Sequence, residues 1–348
     1  MPKVQIYYPV DETGESYEAM VKAGISLVDA AVAGRDPAPS IKTPVVFEPD
    51  TVGSVGYGRP ITAEAMEAAP DLRIIANYTV GFDNVDLKAA TAQGVIVTHS
   101  PTENNWAGVA EGTMAMMLAK LKKVRERDAR VRAHGWRTKE LEGTYVGARD
   151  IDGYKGLVIG FIGFGRIAKR ICELLAPWRV TIIAFSPNQN DPDFGRLGVR
   201  WVPLERLLKT ADVVSIHCNL TPETRNLIGV DQLAIMKPSA ILINTARGGI
   251  VDLDALAHAL KDKTIAGAAL DVFPEEPPDF SHPIFSLGDE VLLAPHMVAS
   301  NVGSGLMLAV PLVTDNILKA LHGVLPNFVA NPQAISLWRH RFGGKSLL

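Results

Sequence analysis

The stretch Gly156–Arg170, GLVIGFIGFGRIAKR, constrains the fold more than any other part of the chain. An apolar run rich in Val and Ile ends in Gly163-Phe164-Gly165-Arg166-Ile167-Ala168, and a helical pattern follows at Ile167, Ile171, Leu174 and Leu175. That order predicts a buried strand, a tight glycine turn and an amphipathic helix. Gly163 permits the turn, Gly165 has no side chain to block a pyrophosphate approaching the backbone, and Ala168 lets the helix pack close on the strand. The unpaired N–H groups of the helix start, around Arg166 and Ile167, then face the phosphates of a dinucleotide. Glycine-rich turns are common; the flanking strand and helix single this one out.

The strands that follow come at βαβ intervals. Apolar runs at Leu157–Ile162, Thr181–Phe185, Val213–His217, Ile241–Asn244, Ala268–Asp271 and Val291–Ala294 are separated by crossover-length segments, which predicts a doubly wound parallel sheet buried on both faces. The first hundred residues form a smaller α/β unit. Val4–Tyr8, Val45–Phe47, Leu72–Ala76 and Val95–Thr98 read as strands, and Thr62–Ala69 and Val85–Gln93 as helices. Between the two units the periodicity predicts one long helix from Trp106 to about Arg132, whose second half, KKVRERDARVR, is a solvated face or a face lying along a partner subunit. A helical pattern resumes near Leu306, and the tail Ser336–Leu348 carries no functional signal. Two proline-rich loops stand out, Pro187–Gly195 and Pro274–Pro283.

A chain of 348 residues suggests two domains. Its 35 basic and 38 acidic residues nearly balance, which argues against nucleic-acid binding and an electrostatic membrane anchor. The start, MPKVQIYYPVDE, lacks the apolar run of a signal peptide, and no segment approaches the ~20 apolar residues of a membrane helix. Cys172 and Cys218 read as small core residues, consistent with a reducing cytoplasm. No metal site is expected.

Ligands of an open α/β sheet bind outside the carboxyl ends of its strands. Ile241–Asn244 is followed by Thr245-Ala246-Arg247-Gly248-Gly249; Ala268–Leu270 by Asp271 and then Glu275 and Glu276; Val291–Ala294 by Pro295-His296. An arginine, a carboxylate and a histidine thus end neighbouring strands, on the edge where Thr245, Ala246 and Asp271 would border a nicotinamide. This set suits hydride transfer at a hydroxyl carbon. A guanidinium can hold a carboxylate and polarise a 2-oxo group. An imidazole can move the hydroxyl proton, and a carboxylate beside it orients the ring and raises its pKa. His217, at another strand end, is the rival for the base, although no carboxylate lies close to it in sequence.

These residues resemble the D-isomer-specific 2-hydroxyacid dehydrogenases. That family carries a GxGxxG turn, an N-T-x-R-G-x-x-V-D segment, an L-D-V-F-x-x-E-P segment and a late P-H. The chain has GFGRIA, Asn244–Asp252 as NTARGGIVD, Leu270–Pro277 as LDVFPEEP, and Pro295-His296, in that order. The match runs from about Pro60 to Asn331. The resemblance implies that Arg247 binds the substrate's carboxylate and carbonyl, that Glu276 pairs with His296, and that His296 is the acid/base. It implies that Asp271 meets the nicotinamide carboxamide, that His217 lies with the cofactor, and that the N–H groups of Val80 and Gly81, in Thr79–Asn84, hold the carboxylate. It further implies two Rossmann-like or flavodoxin-like domains with a cleft between them: a discontinuous substrate domain, 1–105 plus 301–348, and a dinucleotide domain, 106–300. The expected partners are a small 2-oxoacid or 2-hydroxyacid and a second copy in a homodimer. Tyr57, Arg59 and Trp106 are candidates for the cleft without assigned roles.

One position departs from the pattern. NAD-preferring members end their second strand in an acidic residue that takes the ribose hydroxyls. Here Phe185 is followed by Ser186, and Arg196 is the nearest basic residue ahead, so NAD and NADP both stay open. Two alternatives share the architecture: a phosphite-type dehydrogenase, which keeps Arg, Glu and His, and a dinucleotide-sensing corepressor. A formate-type enzyme usually has Gln where Glu276 stands.

Overall fold

The computed structural model describes residues 1–7, 11–29, 43–56, 58–302 and 306–348. They fall into two compact units, Met1–Asn105 with Asn301–Leu348, and Trp106–Ser300. Tyr8, at the end of the first expected strand, and Tyr57 lie outside the described residues.

In the first unit the strands are β1 (Lys3–Tyr7), β2 (Ser26–Asp29), β3 (Thr51–Gly56), β4 (Ile74–Asn77) and β5 (Ile96–Thr98). They pair in parallel in the order β2-β1-β3-β4-β5, the doubly wound order of flavodoxin-like sheets. The expectation of a strand at Val45–Phe47 is wrong. Val45 and Phe47 are buried and Val46 is exposed, so the alternation is real, but the backbone joins no ladder. Pro60 O accepts from Val45 N at 2.8 Å, and the Tyr7 hydroxyl donates to Val46 O at 2.7 Å. The strand lies instead at β3, TVGSVG, which shows no alternation because five of its six residues are buried. Gly53 eases the packing there, since a Cβ would lie 3.2 Å from Val4 Cγ2 in the neighbouring strand, tighter than an ordinary contact.

Helix Ala63–Glu67 is capped by Thr62 Oγ1, and helix Leu87–Gln93 by Asp86 and by Gly94 at φ +65°. Helix Val310–Leu321 returns to this unit and buries Val313, Ile317, Ala320 and Leu321 among Val4, Ile74 and Ala76. The tail that carried no signal is structural. Helix Ile335–Phe342 buries Trp338 completely, with its Nε1 donating to Arg73 O at 2.9 Å. The buried Arg73 guanidinium donates to Ala320 O and Leu321 O, both at 3.3 Å, and to Lys345 O at 2.6 Å, tying the tail to the end of the preceding helix.

The second unit holds β6 (Val158–Ile162), β7 (Thr181–Phe185), β8 (Arg200–Trp201), β9 (Val213–Ile216), β10 (Ile241–Asn244), β11 (Gly267–Leu270) and β12 (Val291–Leu293). All pairs are parallel, in the order β12-β11-β10-β9-β6-β7-β8. The chain leaves β6 toward β8 and then crosses back to β9, so the winding reverses between β6 and β9, where a doubly wound sheet opens its ligand crevice. The two-residue β8 is too short to show in the sequence pattern. The single long helix is also corrected. Helix Glu103–Leu121 ends, and Lys123 at φ +53° starts helix Val124–Arg132. The apolar stripe stops at the break, and the second helix buries no residue. Among the described residues no helix is long and apolar enough to cross a membrane.

Candidate active site

The glycine turn after β6 is built as its sequence requires. Gly163 has φ +95°, and a Cβ there would lie 2.5 Å from His217 O at the end of β9. Its N–H donates to Phe185 O, at the end of β7, at 2.8 Å, so three strand ends meet at this residue. Phe164 turns inward and stacks on Phe194, with centroids 4.3 Å apart. Gly165 is different: its φ of −90° suits any residue, and nothing lies within 4 Å of the place a Cβ would occupy. Helix Arg166–Leu175 starts there without a side-chain cap, so its first N–H groups keep their partial positive charge available for an anion. Arg166 is exposed, Ile167 half-buried, and Ala168 fully buried against the sheet.

Ser186 is half-buried after β7, and its carbonyl accepts from Trp201 Nε1 at 2.9 Å. The proline-rich loop beyond it is pinned to the helix by Lys169, which reaches Asp191 at 2.8 Å and Asp193 at 2.7 Å. Arg196, the basic residue nearest Ser186 along the loop, pairs with Asp193 at 2.5 Å. Hydrogen bonds from Arg196 and Lys169 hold the Asp193 carboxyl down at about 2.

His217 and His296 differ in every respect that matters to an acid/base. His217 Nε2 shares a hydrogen bond with Ser215 Oγ at 2.8 Å, and Nδ1 is buried without a partner among the described residues. Burial pushes its pKa down to about 3, so it stays neutral at physiological pH. His296 Nδ1 lies 2.6 Å from Glu276 Oε2, with about half its side chain exposed. The hydrogen bond from Glu276 raises the His296 pKa above the usual value against the opposing effect of burial. Burial would raise Glu276, but the bonds from His296 and from Phe273 N–H, the latter at 3.0 Å, hold it below the ordinary carboxylate range. Glu276, rather than the exposed Glu275, forms this pair.

The turn after β10 is folded by Asn244. Its Oδ1 accepts from Ala246 N at 3.1 Å and its Nδ2 donates to Arg247 O at 2.9 Å. Gly248 is required next, because a Cβ would fall 1.9 Å from the Phe273 carbonyl carbon. Arg247 is half-buried, donates to Ala246 O at 2.7 Å, and acts electrostatically on both Glu276 and His296. Thr245 is buried and its hydroxyl meets that of Thr113, on helix Glu103–Leu121, at 2.8 Å. Asp271 is 1% exposed, and burial raises its pKa. Its Oδ1 and Oδ2 accept from the N–H groups of Met297 and Val298 at 2.9 and 3.2 Å. Sequence reasoning missed that engagement and the Thr113 contact; Gly112, a glycine inside a helical pattern, was the available sign of close packing there.

In the first unit, Thr79 Oγ1 donates to Gly81 O at 2.6 Å and rounds off the loop after β4. The N–H groups of Val80 and Gly81, both half-buried, make no hydrogen bond among the described residues. Arg59 donates to Thr43 O and Pro44 O at 3.0 and 2.8 Å. Trp106 is half-buried at the start of the second unit.

Known proteins share the sequence pattern and the fold. The pattern of the D-isomer specific 2-hydroxyacid dehydrogenase NAD binding domain matches residues 114–298. The glyoxylate reductase of Korarchaeum cryptofilum is 38% identical over 281 residues, which cover 80% of this chain and 82% of that enzyme. The solved glyoxylate reductase of Paecilomyes thermophila superposes with a TM-score of 0.81 at 23% identity, covering 96% of this chain and all of its own. The NADPH-dependent glyoxylate/hydroxypyruvate reductase of Sinorhizobium meliloti, solved with NADP and malonate, gives 0.74 at 25% identity and covers 96% and 97% of the two chains. Two parallel α/β sheets, a matched NAD-binding domain and a relative aligned over four fifths of both chains identify this protein as a member of the D-isomer-specific 2-hydroxyacid dehydrogenase family, an NAD(P)-dependent oxidoreductase of 2-hydroxyacids and 2-oxoacids.

Proposed function

We propose that the chain interconverts a small D-2-hydroxyacid and its 2-oxoacid, with His296 as the acid/base, Glu276 as its partner and Arg247 as the substrate clamp. The observation that carries this reading is the 2.6 Å pair between His296 Nδ1 and Glu276 Oε2. In reduction, hydride adds to C2 of the oxoacid while His296 gives a proton to the oxygen, and oxidation reverses both transfers. Nδ1 is spent on Glu276, so Nε2 is the nitrogen that faces the substrate in this scheme. Glu276 keeps the imidazole protonated until transfer and stabilises its orientation. Arg247 holds the carboxylate and polarises the carbonyl through its fork of donors. In the first unit, the N–H groups of Val80 and Gly81, which make no hydrogen bond among the described residues, are the substrate-binding groups of this reading.

The nicotinamide supplies or accepts the hydride when the cofactor is bound. Residues of the second unit fit such a cofactor: the open space over Gly165, the uncapped helix start at Arg166 and Ile167, and the orphaned Nδ1 of His217. Ser186, Thr245, Ala246 and Asp271 complete the proposed cofactor contacts. NAD and NADP are both compatible, because Ser186 neither repels a 2′-phosphate nor binds one by charge. We also propose a homodimer, the exposed helix Val124–Arg132 being available to a second copy.

The test is reduction of glyoxylate, hydroxypyruvate, 3-phosphohydroxypyruvate and phenylpyruvate with NADH and NADPH, followed at 340 nm. His296→Ala is expected to lose ~10²–10⁴ in kcat with cofactor affinity nearly intact. An active His296→Ala beside a dead His217→Ala would reassign the acid/base. Arg247→Lys keeps the charge but not the planar fork, and most of kcat/KM should go with it.

A further inference from the structure

His296 has φ +56°, a left-handed backbone that is uncommon outside glycine and that histidine adopts more readily than most residues. Two neighbours hold the residues that follow it. Asp271, at the end of β11, spends one carboxylate oxygen on Met297 N–H and the other on Val298 N–H. Helix Glu103–Leu121 presses from elsewhere through Gly112, where a Cβ would lie 2.1 Å from Val298 Cγ2 and 2.4 Å from Val298 O. A glycine in a helix interior costs about 0.5–1 kcal/mol relative to alanine, so this one trades stability for contact. A carboxylate as buried as Asp271 is costly unless its oxygens are satisfied, and the two N–H groups of this turn satisfy them.

We propose that Gly112 and Asp271 are positioning residues, which together fix the turn His296–Val298 and so keep His296 Nδ1 within hydrogen-bond reach of Glu276. The inference rests on the reading of His296 as the acid/base and deepens it. It also gives Asp271 work beyond the cofactor contact that the family resemblance implies. A turn that slips by a few tenths of an ångström lengthens the Nδ1–Oε2 bond, and with it goes the main influence that keeps the imidazole protonated. The charged groups acting on His296 are Glu276, Arg247 and Asp271, so a variant that changes none of them isolates the effect of position.

Gly112→Ala is that variant. It is expected to lower kcat by about tenfold or more, since misplacement by 1 Å can cost ~10²-fold. The alkaline limb of the pH–rate profile for 2-oxoacid reduction should move to lower pH, while the NADH Kd from fluorescence quenching stays near wild type. Asp271→Asn should move the limb in the same direction, because an amide accepts from one N–H of the turn and confronts the other with its own. Val298→Ala, which loosens the same contact from the other face, replaces Gly112→Ala if that protein does not fold, with a smaller shift of the same sign. The proposal is overturned if the folded contact variant keeps the wild-type limb, whatever Asp271→Asn does, since loss of the Asp271 charge by itself moves the limb, or if Asp271→Asn changes only the NADH Kd. Glu276→Gln in the same assay separates the two levels. If its limb moves and theirs do not, the clamp alone is lost; if its limb is also unmoved, the acid/base reading is lost with it.

Discussion

Glu276 divides its carboxylate between the backbone N–H of Phe273 and the imidazole of His296, so one side chain both shapes its loop and sets a proton affinity. The sign of its effect on activity follows. With His296 as the proposed acid, its raised pKa keeps the reducing form populated below that pKa, and the rate should fall as pH rises through it. Glu276→Gln removes the raising influence, so the fall should begin at lower pH in 2-oxoacid reduction. A pH–rate profile superimposable on wild type would deny Glu276 this role. Ser186 allows a second test at the same scale. Ser186→Asp would place a carboxylate where ribose hydroxyls are usually read, at a spot whose nearest loop cation, Arg196, is already paired. A charge-assisted hydrogen bond is worth roughly 1.5–3 kcal/mol, so the NADH/NADPH ratio of kcat/KM should rise at least ~10-fold. A ratio within about twofold of wild type would mean that Ser186 does not read the ribose.

The two glycines of the turn after β6 look alike in sequence and do opposite things in the element. Gly163 is demanded by the fold: its φ is +95° and three strand ends crowd it. Gly163→Ala should cost at least about 1–3 kcal/mol in denaturant unfolding, the range for a strained backbone, before the clash with His217 O is counted. Gly165 is not demanded by the fold, since its backbone is extended and its Cβ position is open. Gly165→Ala should therefore unfold like wild type and yet bind NADH several-fold more weakly, if a pyrophosphate lies over it. Undiminished binding would place the phosphates elsewhere. The turn's pattern was legible from residue order alone, and the division of labour between its glycines was not. Elements hid from the sequence for the same kind of reason. The β3 segment TVGSVG carries little apolar signal and becomes a strand because β1 and β4 flank it, whereas Val45–Phe47 alternates like a strand but pairs with no strand among the described residues.

At the scale of the molecule, each unit closes a core of its own, and the first does so with both ends of the chain. Trp338 lies fully buried among Val4, Ile74 and Ile317, and Arg73 links the tail to the helix before it. Trp338→Ala should cost about 3–5 kcal/mol, the usual price of a large cavity. That loss should fall on the first unit, so NADH binding by the second should outlast 2-oxoacid turnover as temperature rises. Coincident loss of both activities would show that the units do not unfold separately.

Residue order by itself determined six of the seven parallel strands of the second unit, the glycine turn, and the arginine, glutamate and histidine that follow β10, β11 and β12. Each is local: an apolar run, a turn residue, or a side chain within a few residues of a strand end. Only the tertiary structure decided which histidine could be charged, because burial acts on His217 and a carboxylate twenty residues away in sequence acts on His296. It alone decided what the tail is for, and that Asp271 and Gly112 meet one turn from different elements. Those contacts join residues far apart in the chain, and periodicity carries information about neighbours in sequence, not about neighbours in space.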